Sequence, residues 1–344
     1  MKYYMAPMEG ITGFVFRNAY HEYFAPMDKY FTPFVSPTRN GCFTPRERRD
    51  VLPENNRTGY LVPQILCNQA DLFCKTAHEL AEYGYREINL NLGCPSGTVV
   101  SKKKGAGFLS VPHQLDCFLE QIFEKAEAEI SIKTRLGMRE PEEFEELLEI
   151  FEKYPLKELI IHARVREEYY NGRPHADVFR RAREKSSLPL CYNGDIFRAE
   201  DALAFRECMG KCAADGASEE VATDAANGTA NDAAPGAIML GRGVLRNPYL
   251  VEECRAAETG EPAKKRDMGR VLEFSSRLMK DYSEIMGEHN AMFRMKELWF
   301  YLAELAADVE KAKKIVKKAD TITALHSGMK ALLETGVMQE YKKN

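Results

Sequence analysis

Glu87-Ile88-Asn89-Leu90-Asn91-Leu92-Gly93-Cys94-Pro95 runs from a short apolar stretch into a cysteine held between a glycine and a proline. The first part reads as a buried strand. Gly93 offers no side chain to pack, and Pro95 restricts Cys94 to an extended conformation. A basic, glycine-rich turn follows, Ser101-Lys102-Lys103-Lys104-Gly105-Ala106-Gly107. This arrangement presents a thiol at the carboxyl end of a strand, where α/β barrels keep their chemistry. The competing reading is a buried, inert cysteine, a common state for a free thiol.

Outward from this stretch, strand-like runs recur at 3–8, 29–35, 61–66, 87–92, 130–135, 158–163, 188–193 and 237–241. Most are short and apolar without clean alternation, as expected of parallel strands covered on both faces. The segments between them carry helical spacing, for example Leu115, Phe118, Leu119 and Ile122. Eight βα units over about 250 residues predict an α/β fold closed into a (β/α)₈ TIM barrel rather than an open doubly wound sheet. The stretch 36–60 is polar and reads as loop-rich. Residues 210–235 are rich in small and polar types and read as a mobile surface insertion before the last strand. Strand signals stop after Pro248. Apolar stripes such as Val271, Phe274 and Leu278 then predict a C-terminal helical bundle. The expected organisation is a catalytic barrel over 1–255, a linker over 256–266 and a helical domain over 267–344.

The bulk properties exclude several classes. No window of the 344 residues approaches 18 uninterrupted apolar positions, so no membrane span is expected. The start of the chain lacks the apolar core of a signal peptide. The nine cysteines are odd in number, scattered and without a CxxC pair. That argues against a metal site or a disulfide framework and for a reducing cytoplasm. The formal net charge of −4 argues mildly against nucleic acid, but local basic patches can coexist with it. Candidates are Lys102 to Lys104, the basic run 264–266 and the lysines of 310–318, each of which is otherwise a solvated face.

The predicted strand ends carry an unusual share of polar residues. Strand three contains Gln64, strand four ends in Asn91 and Cys94, and strand five carries Lys133 and Arg135. Strand six brings His162, Arg164 and Arg166. Buried alone, such groups are costly. At equivalent ends of successive strands they converge on one mouth. Asn193-Gly194-Asp195 and Gly241-Arg242-Gly243 are tight turns after strands seven and eight, the usual phosphate site of such barrels. Lys133 and His162 are placed to hold the polar edge of a planar, phosphate-bearing cofactor.

Together these residues resemble the tRNA-dihydrouridine synthases, flavin-dependent barrels with a helical C-terminal domain. The likeness rests on Ala6-Pro7-Met8-Glu9-Gly10-Ile11-Thr12 with Arg17, on Asn91 to Pro95 with Gly105-Ala106-Gly107, and on Ile132-Lys133. It continues in Ile161-His162-Ala163-Arg164 with Tyr169 and Gly172, in Tyr192 to Ile196, and in Ile238 to Gly243 with Asn247-Pro248. Arg294-Met295-Lys296-Glu297 leading into Trp299-Phe300-Tyr301 looks like the family's basic, aromatic helix. Gly13 and Gly97 depart from the pattern, standing where Asp and a polar residue are frequent.

The resemblance implies FMN contacts at Pro7, Met8, Gln64, Lys133, His162, Asn193, Gly194, Asp195, Gly241 and Arg242. It implies Cys94 as the catalytic acid and Asn91 near the flavin and substrate; the charges of Arg164 and Arg166 at the strand-six end, and of Arg294 and Lys296 in the helical domain, make them the further expected substrate contacts. The implied reaction reduces uridine to dihydrouridine in tRNA, with NADPH or NADH as reductant, in a cytoplasmic monomer. Two other readings stay open on the residues. One is a flavin barrel acting on a free small molecule, like a dihydroorotate dehydrogenase or an ene-reductase. The other is a non-catalytic RNA-binding protein that kept the fold.

Overall fold

The structure is a computed structural model and describes residues 1–210 and 236–341. The insertion read at 210–235 lies, apart from Gly210, outside the described residues. In chain order the elements are β1 (Lys2–Met5), α1 (Phe14–Tyr23), β2 (Lys29–Phe31), α2 (Pro45–Val51), β3 (Leu61–Val62), β4 (Gln64–Ile65), α3 (Ala70–Glu82) and β5 (Glu87–Leu92). There follow α4 (Gly97–Val100), α5 (Pro112–Lys125), β6 (Glu129–Arg135), α6 (Glu143–Phe151), β7 (Leu159–His162), α7 (Ala176–Lys185), β8 (Leu190–Asn193) and α8 (Ala199–Gly210). The described chain ends with β9 (Ala237–Leu240), α9 (Arg242–Arg246), α10 (Leu250–Thr259), α11 (Met268–Met286), α12 (Glu288–Leu302), α13 (Val309–Lys318) and α14 (Ile322–Tyr341).

All the strand pairs are parallel, in the order β3-β2-β1-β9-β8-β7-β6-β5-β4. The two ends of that order are successive halves of one strand, so the sheet returns on itself as the expected barrel. Pro63 splits the strand read at 61–66, because it has no N–H to give the ladder. Its carbonyl still accepts from the Asn89 amide at 2.9 Å, and a parallel bridge between Val35 and Ile65 completes the closure.

The stretch 36–60 is not simply loop. It holds α2, whose start is a capping box between Thr44 and Glu47 with Pro45 in the first turn. The helix is polar and exposed along much of its length, so apolar periodicity does not reveal it. The linker read at 256–266 also begins later. Helix α10 runs through Thr259 and stops at Gly260, whose left-handed backbone ends it.

The barrel interior is small. Tyr4, Ala6, Phe31, Val62, Ile160, Cys191, Ala237 and Met239 form its apolar filling, separate from the large core between sheet and helices. At the amino ends of the strands an ion cluster closes the floor. Lys29 Nζ lies 3.0 Å from both Glu87 and Glu158, while Tyr60 and Tyr4 donate to those same carboxylates. Every charge there has a partner. The helical region is not a separate core. Phe274 of α11 packs edge-on against Phe16 and Phe24, at ring distances of 5.7 and 5.2 Å, and Trp299 of α12 is fully buried.

Candidate active site

Strand alternation decides which side chains meet. Asn89 and Asn91 on β5 share a face, as do Ser131 and Lys133 on β6, Ile160 and His162 on β7, and Cys191 and Asn193 on β8. Ile160 and Cys191 belong to the interior filling, so these faces point inward. The register sets Asn91 beside Lys133, and His162 beside Asn193, at the carboxyl ends. Lys133 Nζ donates to Asn193 Oδ1 at 2.9 Å, and Asn193 in turn donates to the Met239 carbonyl. Below them an amide chain runs across the interior. Asn91 donates to Gln64, Gln64 to Asn89 and Asn89 to Ser131, at 2.7, 2.7 and 2.9 Å.

A cleft opens over this layer. Pro7, Met8, Lys133, His162, Asn193, Gly194, Asp195, Gly241 and Arg242 all line it, as the sequence reading requires of a cofactor site. Gln64 does not. It is fully buried beneath, where its amide is taken up by Asn89 and Asn91. Burial pushes the Lys133 ammonium down to about 7, helped by the neighbouring Arg135 charge. Burial, then the Arg135 and Lys133 charges, hold His162 neutral well below its ordinary range. Asp195 is partly buried, which raises it, but Arg164 and Arg242 win and keep it ionised. Both guanidiniums reach it, at 2.7 and 2.6 Å.

This cleft fits an anionic group. Lys133 hydrogen-bonds only to a neutral amide, so its charge is uncompensated until an anion arrives. The two turns are pressed together, since a Cβ on Gly243 would collide with the Ile196 carbonyl. Tyr170 covers the outer side. Its ring, 49% exposed, lies 6.0 Å from that of His162 and 4.9 Å from the Arg242 guanidinium.

Cys94 stands at the edge of the mouth on a loop fixed from three sides. Asn91 Oδ1 accepts from the amides of Gly93 and Cys94 at 3.0 and 2.9 Å. Arg135, almost fully buried, donates to the Gly93 carbonyl at 2.9 Å. The Cys94 carbonyl accepts from Ala106, and Gly105 has a left-handed φ of 55° with no room for a Cβ against that carbonyl. Burial pushes the thiol up, more than the Ser96 amide and the Arg135 charge pull it down. It is therefore protonated at neutral pH, the state of a donor rather than a nucleophile.

Residues 4–218 match the family described as dihydrouridine synthase (Dus). The chain belongs to the dihydrouridine synthase family. This bears out the family and the enzyme class expected from the motifs. A probable tRNA-dihydrouridine synthase 1 from Synechocystis is 25% identical, covering 86% of this chain and 76% of its own. A tRNA-dihydrouridine synthase B from Pasteurella multocida is 28% identical over 72% of this chain and 67% of its own. A tRNA-dihydrouridine(16) synthase from Neisseria meningitidis is 25% identical over 92% and 90%.

In this member of the dihydrouridine synthases, two of the residues expected as substrate contacts bond within the fold. Arg164 is fully buried and spent on Asp195 and on the carbonyls of Asn171 and Gly172, so it braces the cleft from behind. Lys296 reaches back to the carbonyls of Lys317 and Ala319 at 3.0 and 2.7 Å and caps α13. Asn91 holds the Cys94 loop. Arg166 stays on the rim, its guanidinium 4.9 Å from the Tyr169 ring. Arg294 sits close against Gly10 of the β1–α1 loop.

Sequence reasoning missed Tyr170, the clamping role of Arg135, and Asp50. The Asp50 carboxylate accepts from the Phe14 amide at 2.6 Å, the place where Gly13 has no side chain to cap α1. No local signal marks Asp50, which arrives from α2. Among the described residues no group of three or more side chains could hold a metal ion, and no helix is long and apolar enough to cross a membrane.

Proposed function

We propose that this chain reduces uridine to 5,6-dihydrouridine in tRNA, with FMN held in the strand-end cleft and NADPH or NADH as reductant. The observation that carries the reading is a protonated, rigidly mounted thiol beside a cleft with a half-buried ammonium, Lys133, that has no carboxylate partner among the described residues. The tRNA substrate is drawn from what the relatives are named for. When bound, flavin would be the source of the hydride for C6 of uracil, with the nicotinamide as its reductant.

The residues supply the rest. Lys133 presents its ammonium to the polar edge of the ring system, and neutral His162 offers a hydrogen bond beside it. The turns at Asn193 to Asp195 and Gly241 to Gly243, with Arg242 oriented by Asp195, take the phosphate. Cys94 would hold the proton destined for C5. The uridine has to leave its stack to reach this mouth, which costs a few kcal/mol and least in an RNA loop. The helical domain over 267–344 adds RNA-binding surface, with Arg294 at its contact with the barrel, and the protein works in the cytoplasm.

The test compares substrates. Purified protein with bound flavin and NADPH should turn over on unmodified tRNA and not on free uridine, uridine monophosphate or orotate. Turnover on a free pyrimidine with none on tRNA overturns the proposal.

A further inference from the structure

A cavity of about 470 Å³ lies outside the cofactor cleft, between the β1–α1 loop, α2 and the paired helices α11 and α12. Nothing in the reaction described above uses it. Phe14, Ile285 and Met286 give it an apolar floor, and Arg46, Arg49 and Arg294 stand around it. Phe293, 55% exposed, lies at its edge.

The cavity and the cofactor cleft are lined by successive parts of the β1–α1 loop, Pro7 and Met8 in the cleft and Gly10 and Ile11 in the cavity. Arg46 pairs with Glu9 of the β1–α1 loop at 2.6 Å, two residues from Pro7 in the cofactor cleft. Arg294 leans on Gly10 of that same loop. Carboxylates pair two of the three guanidiniums, Arg46 with Glu9 and Arg294 with Glu297, and leave the Arg49 charge at the rim unpaired among the described residues. Asp50 is buried and bonded to the Phe14 amide, beside Arg17. Glu297 makes a solvated pair with Arg294 at 3.2 Å, weak by its exposure. Arg49 makes no ion pair with any described carboxylate. An apolar floor with an exposed aromatic and guanidiniums at the edge is the pattern that takes a base by its face and a phosphate by charge.

A neighbouring nucleotide is the occupant this place calls for. Extruding one uridine into the mouth displaces the nucleotides beside it, and their bases lose stacking on one side. We propose that this cavity binds the base and phosphate of a nucleotide flanking the target uridine, and so helps select which uridine is reduced. The proposal rests on the tRNA reading and adds a subsite to it.

The test uses the full-length flavoprotein, the variants Phe293→Ala and Arg49→Glu, and unmodified tRNA transcripts. The reduced uridine is mapped first. Transcripts lacking the base on either side of it are then made. Flavin content and melting temperature check the fold. Phe293→Ala should weaken binding of the intact transcript about 5- to 150-fold, the range for loss of one base–aromatic stack. Removing the flanking base should weaken wild-type binding by a similar factor and leave Phe293→Ala unaffected. Arg49→Glu should lower the salt dependence of binding by about one unit of slope or more.

Wild-type affinity in both variants, or effects of Phe293→Ala and base removal that multiply, give the cavity to something other than the flanking nucleotide and overturn the proposal alone. A wild type that neither binds nor reduces the transcripts overturns the tRNA reading and this proposal with it.

Discussion

Replacing Lys133 by Met should stabilise the flavin-free protein while weakening its hold on flavin. The ammonium is pushed from 10.5 down to about 7 by burial and by Arg135. At 1.36 kcal/mol per unit, the unliganded fold at pH 7 carries a penalty of at most about 4–5 kcal/mol for this group, reduced by solvent at the mouth. Methionine keeps the length of the chain and removes the charge. It also removes the hydrogen bond to Asn193, worth about 1 kcal/mol. The net gain in the apoprotein is roughly 1–3 kcal/mol, or a few degrees in melting temperature for a chain of this size.

The pH dependence has a definite sign. The folded pKa lies below the unfolded one, so the unfolded chain binds the extra proton between pH 7 and 10.5. Stability of the unliganded wild type should therefore gain a rising contribution across that window, and Lys133→Met should lack it. Flavin affinity should fall about 10- to 150-fold, the value of one charge-assisted hydrogen bond. The assays are thermal melts of flavin-stripped protein from pH 6 to 9 and flavin titration by fluorescence. An apoprotein less stable than wild type that still binds flavin at wild-type affinity would refute the reasoning.

Cys94→Ala should retain flavin and its reduction by the nicotinamide but lose about 10²- to 10⁴-fold in turnover on tRNA, measured in the steady state; near-normal turnover would make Cys94 a packing residue. Arg164→Met leaves two loop carbonyls unpaired and takes one of the two guanidiniums from Asp195, so it should cost about 2–4 kcal/mol in denaturant unfolding; a midpoint equal to wild type would remove the bracing role. A chain cut after Arg266 should aggregate, because Phe16 and Phe24 lose Phe274 as a cover; a monodisperse barrel with full flavin content would show two independent cores.

The barrel was legible because each strand is a short apolar run bounded by turn residues. The cleft was legible because Lys133, His162 and Asn193 stand inside such runs, where a polar residue needs a reason. Pro63 hid the split of one strand, since it lies within an apolar run and matters only through a missing N–H. Helix α2 escaped because an exposed helix has no apolar stripe, leaving only its Thr44–Glu47 box as a mark. Arg164 and Lys296 read as substrate contacts by charge alone. Sequence does not say whether a guanidinium or ammonium turns outward or caps carbonyls within the fold, and both of these turn inward. Asp50 acts on α1 from 36 positions away, a pairing that only the fold creates.

The most direct measurement is the mass of one RNA. An unmodified tRNA transcript is incubated with the flavin-loaded protein and NADPH, digested, and analysed by mass spectrometry. The account predicts a gain of two hydrogens at a specific uridine, present with wild type and nearly absent with Cys94→Ala. A transcript left unchanged by wild-type protein whose flavin is bound and reducible would contradict it.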